Sequence, residues 1–151
     1  MAPLRAAGVA LGMGMGGFVD GIVFHQILQL HNMLSARVPA DVLVGNKINM
    51  FWDGIFHAAV WILTALGIGL LWRAGRRVDV DWNGRRFSGA LLIGWGLFNF
   101  IEGVINHHLL HLHHVYERAG LSGWDYAFLA WGAAMLAGGV LLAGSRASAS
   151  R

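Results

Sequence analysis

Three short stretches hold most of this chain's potential chemistry: FVDGIVFHQILQLHNM at 18–33, NMFWDGIFHA at 49–58 and FIEGVINHHLLHLHHV at 100–115. Each sets acids and imidazoles into runs of Phe, Ile, Val and Leu. Histidine and carboxylate together, with no cysteine anywhere in the chain, form a donor set for Zn, Fe or Cu. The lack of cysteine excludes disulfides, thiolate sites and cysteine nucleophiles. The candidate metal ligands are Asp20, His25, Asp53, His57, Glu102, His107 and His108, with His31, His113 and His114 as a further, outer layer. The recurring spacing is acid-x4-His. On an α-helix it separates the two groups by about 7.5 Å along the axis. That favours stacked layers, or an acid supporting a ligating histidine, over a chelate from one helix. On the 49–58 stretch Asn49, Asp53 and His57 follow at intervals of four and share a face.

The first and third stretches align at an offset of 82. Asp20 meets Glu102, Gly21 meets Gly103, His25 meets His107 and His31 meets His113. Upstream, Gly12 and Gly14 meet Gly94 and Gly96. A weaker match at an offset of 72 lays Trp52-Asp53 over Trp124-Asp125 and sets Leu129 opposite His57. The expected architecture is two tandem two-span hairpins. An even number of spans per unit gives both the same membrane direction.

Composition says what must position these groups. The chain has 151 residues, 56% apolar and 13% charged, where a soluble domain carries about a quarter charged residues. Spans of ~20 apolar residues cross a bilayer. Four are expected, at about 6–34, 44–72, 87–116 and 121–143, forming one all-α membrane four-helix bundle over 1–144 with a disordered tail at 145–151. Little sequence remains for a soluble domain. The N-terminal apolar stretch runs through Asp20 and His25 without a cleavage site, so it reads as a retained span. Arg5, Arg73, Arg76, Arg77, Arg85, Arg86, Arg146 and Arg151 fall in alternate connections, against Arg37, Lys47 and Arg118 in the others. Positive charge stays inside, so both termini are expected in the cytoplasm of a bacterial inner membrane. The polar residues then gather in the outer half, from the interface (His31, His113, His114, Asn49, Asp125) to the midplane (Asp20, Glu102, His57). The basic residues form no nucleic-acid face. Gly12, Gly14, Gly16 and Gly17 serve helix packing rather than dinucleotide binding. In the connection at 76–86, Asp79 and Asp81 are expected to pair with arginines around a turn at Asn83-Gly84.

The segments GGFVDGIVFHQILQLHNM, NMFWDGIFHA and GLFNFIEGVINHHLLHLHHV resemble a bacterial family of four-span membrane proteins classed as a domain of unknown function. The resemblance implies functional positions at Asp20, His25, His31, Asp53, His57, Glu102, His107, His108 and His113 or His114. The chain departs from that pattern at Asn32, Asn106 and His111. It implies a membrane location and no activity.

An ionisable side chain at membrane depth costs at least ~2.5 kcal/mol, and such groups pair, face inward and mark function. A bound divalent metal answers that cost, and the leading reading is an intramembrane metal site, in its sharpest form a dinuclear enzyme. The competing readings are a metal-ion or proton carrier or chaperone, a haem protein ligated by His25 and His107, and a structural subunit whose histidines only pack helices. The expected partners are the lipid bilayer and either a second copy or a larger membrane complex, with no nucleic acid.

Overall fold

The computed structural model describes residues 2–144. The tail at 145–151, with Arg146 and Arg151, lies outside the described residues. All regular structure among them is helical. α1 (Ala2–Val19) runs directly into a π-helical segment, Asp20–Ile27. α2 spans Leu43–Gly75. α3 (Gly84–Glu102) runs into a second π segment, Gly103–Leu109, and α4 spans Gly123–Gly144. Four helical stretches are long and apolar enough to cross a membrane: Pro3–Ile27, Leu43–Gly75, Gly84–Leu109 and Gly123–Gly144.

The first and third spans are shorter than the sequence led one to expect. They end at Ile27 and Leu109 rather than near 34 and 116. Just beyond each end one residue takes a left-handed backbone, Gln29 at φ 49° and His111 at φ 45°. Such a residue reverses the chain as a C-terminal helix cap does. Residues 28–42 and 110–122 therefore fold back over the bundle as a lid of turns. The expected turn at Asn83-Gly84 is instead a helix start: the Asn83 side chain accepts from Arg86 N at 3.0 Å and caps α3. The same connection pairs Arg77 with Asp79 and Arg86 with Asp81, as its charge pattern anticipates. The Arg77 guanidinium holds the exposed Asp79 carboxyl below its usual range.

α1 and α3 form the central pair, with α2 packed on α1 and α4 packed on α3. The spans Pro3–Ile27 and Gly84–Leu109 are about half buried, whereas α2 and α4 are mostly exposed. The outer two helices therefore present most of their surface to lipid. Trp72, Trp82 and Trp124 are exposed at or beside helix ends, where tryptophan anchors a chain at the membrane interface. Between α1 and α3 the backbones touch. A Cβ on Gly12 would strike the carbonyl of Leu91, and one on Gly94 the carbonyl of Val9. Only glycine permits this approach.

The interior is polar rather than oily. The largest wholly buried side chains among the described residues are His25, His107, His113, Asn49, Asp53 and Asp125. Leu, Ile, Val, Phe and Trp cover the outside, with Leu43, Leu141 and Trp72 each at least 70% exposed. A water-soluble domain arranges these classes the other way round.

Candidate metal centre

The two π segments place the acids and histidines. In a π-helix the hydrogen bond spans five residues, so a group and its fifth neighbour come onto one face. Leu28 N bonds Val23 O at 2.8 Å, and Leu110 N bonds Ile105 O at 2.8 Å. His25 Nε2 consequently lies 3.2 Å from Asp20 Oδ2, and His107 Nε2 lies 3.1 Å from Glu102 Oε1. This corrects the expectation of stacked layers. α-Helical arithmetic puts acid and histidine on different arcs, whereas π geometry makes them near neighbours.

The other nitrogen of each ring is held from the flanking helices. His25 Nδ1 donates to Asp53 Oδ1 on α2 at 2.9 Å. His107 Nδ1 lies 3.2 Å from Asp125 Oδ1 on α4. A carboxylate only accepts, so the Asp53 bond places the ring proton of His25 on Nδ1 and its lone pair on Nε2, whereas His107 sets a carboxylate beside each nitrogen and hydrogen-bonds neither. The acids are fixed in turn by the lid. Asp53 accepts from Met33 N at 2.8 Å and from Asn32 Nδ2 at 2.9 Å. Asp125 accepts from Val115 N at 3.0 Å and Ser122 N at 2.9 Å.

The folded-back lid supplies two more imidazoles. His31 Nδ1 donates to Val115 O at 3.0 Å, and His113 Nδ1 donates to Met33 O at 3.0 Å. Each loop's histidine is thus oriented by the other loop. The two rings stack, with centroids 4.6 Å apart and planes 6° from parallel. Their Nε2 atoms turn to the acids. His113 Nε2 is 2.7 Å from Glu102 Oε1, and His31 Nε2 is 3.8 Å from Asp20 Oδ1. Asn49 secures the lid beneath, accepting from Leu34 N and donating to Val38 O. Ser35 Oγ donates to Glu117 Oε2 at 2.7 Å and ties the loops together.

Among the described residues two groups could hold a metal ion, His25 with His31 and His113, and Glu102 with His107 and His113. In each, the candidate ligand atoms lie within 4.8 Å of one another. Asp20, His25, His31, Glu102, His107 and His113 are all buried. His25 Nε2, His31 Nε2, both nitrogens of His107 and Glu102 Oε2 are buried without a hydrogen-bond partner. A neutral imidazole cannot donate from both nitrogens. With Nδ1 spent on Met33 O, the short His113–Glu102 contact takes an imidazolium, a protonated Glu102 donating to Nε2, or a cation between two lone pairs.

Not every anticipated residue arrives here. His57 turns its Nδ1 to the carbonyl of Asp53, one turn back on its own helix at 2.7 Å, and joins neither group. His108 does likewise, with Nδ1 on Gly103 O at 2.9 Å and its ring against Tyr126. Asp53 stands behind His25 as its hydrogen-bond acceptor. His31 and His113, expected as an outer layer, sit at the centre because the chain reverses at Gln29 and His111. His114 lies beside the site, with Nδ1 3.5 Å from Asp125 Oδ1. The residue missed as a participant is Asp125. Its signal was the Trp-Asp pair shared with Trp52-Asp53.

No curated protein and no solved structure matches the chain. The family model described as "Predicted membrane protein (DUF2243)" matches residues 7–146, which takes in all four helices and the lid, and the chain belongs to that family.

Proposed function

We propose that this protein is an intramembrane metalloprotein that holds two divalent transition-metal ions. Each ion would bind a triad of two histidines and one carboxylate, Asp20–His25–His31 and Glu102–His107–His113. One observation carries the reading. His25, His31 and His113 donate from Nδ1 to an oxygen, His107 Nδ1 lies 3.2 Å from Asp125, and the four Nε2 atoms converge on two buried carboxylates. Metal-ligating histidines are oriented this way, by a carboxylate or carbonyl on the far nitrogen.

Charge and distance agree with it. Asp20, Asp53, Glu102 and Asp125 bring four negative charges into the interior, and two dications cancel them. The donor separations of 3.2, 3.8, 3.1 and 2.7 Å bracket the edges of a coordination polyhedron. Bonds of about 2.0–2.1 Å give edges of about 2.9 Å (octahedral) to 3.4 Å (tetrahedral). The sulfur-free donors suit Zn, Fe or Cu, and a triad with open positions supplies Lewis-acid or oxygen chemistry when loaded. The His31 and His113 rings pack against both His25 (4.6 and 5.6 Å) and His107 (6.3 and 5.0 Å), which argues against a porphyrin between His25 and His107. The glycine-packed, apolar far half of α1 and α3 offers a moving cation no further ligands, which favours a resident metal over cargo.

The contacts that recur at an offset of 82, among them the crossed His31–Val115 and His113–Met33 bonds, support a duplicated two-span hairpin. The arginine distribution supports an inner-membrane setting with both termini cytoplasmic and the centre in the outer half.

Elemental analysis of the full chain purified in detergent tests the proposal. The expected content is two equivalents of Zn, Fe or Cu per chain, with about one lost in each of His25→Ala and His107→Ala. A chain that takes up no stoichiometric metal when offered each ion overturns it.

A further inference from the structure

The two halves differ at one place beside the proposed centre. Position 24 holds Phe, whose ring stacks on His31 at 6.1 Å and covers that flank. The matching position 106 holds Asn, and here a cavity of about 180 Å³ opens. Phe56, Phe98, Ile101 and Ile105 wall it, and Glu102 and Asn106 supply its polar atoms. Ile101 and Ile105 are 45% and 41% exposed, so the cleft opens on the lipid-facing flank of α3. Glu102 itself is only 5% exposed. Its Oε1 meets His107, His113 and, at 3.4 Å, Asn106 Nδ2, while its Oε2 is buried with no partner.

The occupant follows from these facts. It arrives through lipid, so it is neutral. It offers a donor to an unpartnered carboxylate oxygen. Its body is apolar and the size of one ring, since a cavity of ~150 Å³ takes benzene. We propose that the cleft binds a small membrane-dissolved phenol or hydroquinone, its ring against Phe56 and Phe98 and its hydroxyl donating to Glu102 Oε2. That the ring then lies beside a metal triad rests on the reading above. The binding itself does not.

The test uses the full chain in nanodiscs, with 4-fluorophenol and fluorobenzene followed by fluorine NMR against empty nanodiscs. The phenol should bind saturably. Fluorobenzene should bind at least about tenfold more weakly, the loss expected for a hydrogen bond to a charged group. Asn106→Phe, which copies position 24, and Ile105→Trp should each weaken phenol binding about tenfold or more and leave the metal content unchanged. Phenol uptake no greater than in empty nanodiscs overturns the proposal. So does fluorobenzene binding equal to phenol, or wild-type affinity in both variants. Saturable phenol binding by a chain without metal supports the cleft and overturns only the metal centre. A metal-loaded chain that ignores phenol overturns the cleft alone.

Discussion

Three of the four inward histidines commit one nitrogen to a hydrogen bond that holds the ring still, and the fourth, His107, sets a carboxylate beside that nitrogen. For His31 and His113 the acceptor is a backbone carbonyl, for His25 it is Asp53, and His107 Nδ1 lies 3.2 Å from Asp125 Oδ1 on the flanking helix. Asp53→Asn and Asp125→Asn should therefore weaken metal binding about 10–100-fold while leaving saturated stoichiometry intact. Competition with a chromophoric chelator measures this. His57→Leu, the residue at matching position 129, is the comparison and should bind as the parent does. Equal affinity in all three would remove the supporting role. At this scale the sequence was informative but coarse. Residue types named the donor set, and the offset of 82 paired Asp20 with Glu102 and His25 with His107. They did not separate His57, which bonds its own helix, from Asp53, which bonds another. That distinction depends on where a ring turns, and each sits at an equally polar point of the pattern.

At the scale of elements, the four helices were legible because ~20 apolar residues in a row have few other fates. The two π segments were not. Hydrophobic pattern assumes about 100° per residue, so positions five apart fall about 140° apart, and His25 seemed to leave Asp20. A π turn is rare and has no hydrophobic-pattern signature; here the two segments set His25 beside Asp53 and His107 beside Asp125. Deleting Val23 should relax the first segment to i→i−4 bonding and swing His25 off the Asp20 face. The expected result is one metal equivalent retained per chain, held by the second triad, with helix content by circular dichroism nearly unchanged. Two equivalents in that variant would show that the widened turn is not what assembles the site. The reversals at Gln29 and His111 were equally hidden, since a left-handed backbone is rare for any residue but Gly, His included despite its enrichment there.

Across the whole molecule, a polar centre inside an apolar shell fixes how the chain sits in lipid, and the lid fixes which end is which. The end bearing Arg5, Arg73, Arg76, Arg77, Arg85 and Arg86 carries no part of the centre. The lid end holds few cations, and Arg37 spends its guanidinium on Leu110 O at 2.7 Å, joining one loop to the other. Retention of arginine on the cytoplasmic side would put the lid outside, and the buried centre would then have its nearest water at the exterior. The chain has no cysteine, so single-cysteine variants report sidedness without background. In intact cells a membrane-impermeant maleimide should label Asp41→Cys in the lid. It should label Arg76→Cys, in the arginine-rich connection, only after the membrane is opened. The reverse pattern would place the lid in the cytoplasm. The centre would then draw its protons and metal from the other compartment, although the packing of α1 on α3 and the residues of both triads would be the same.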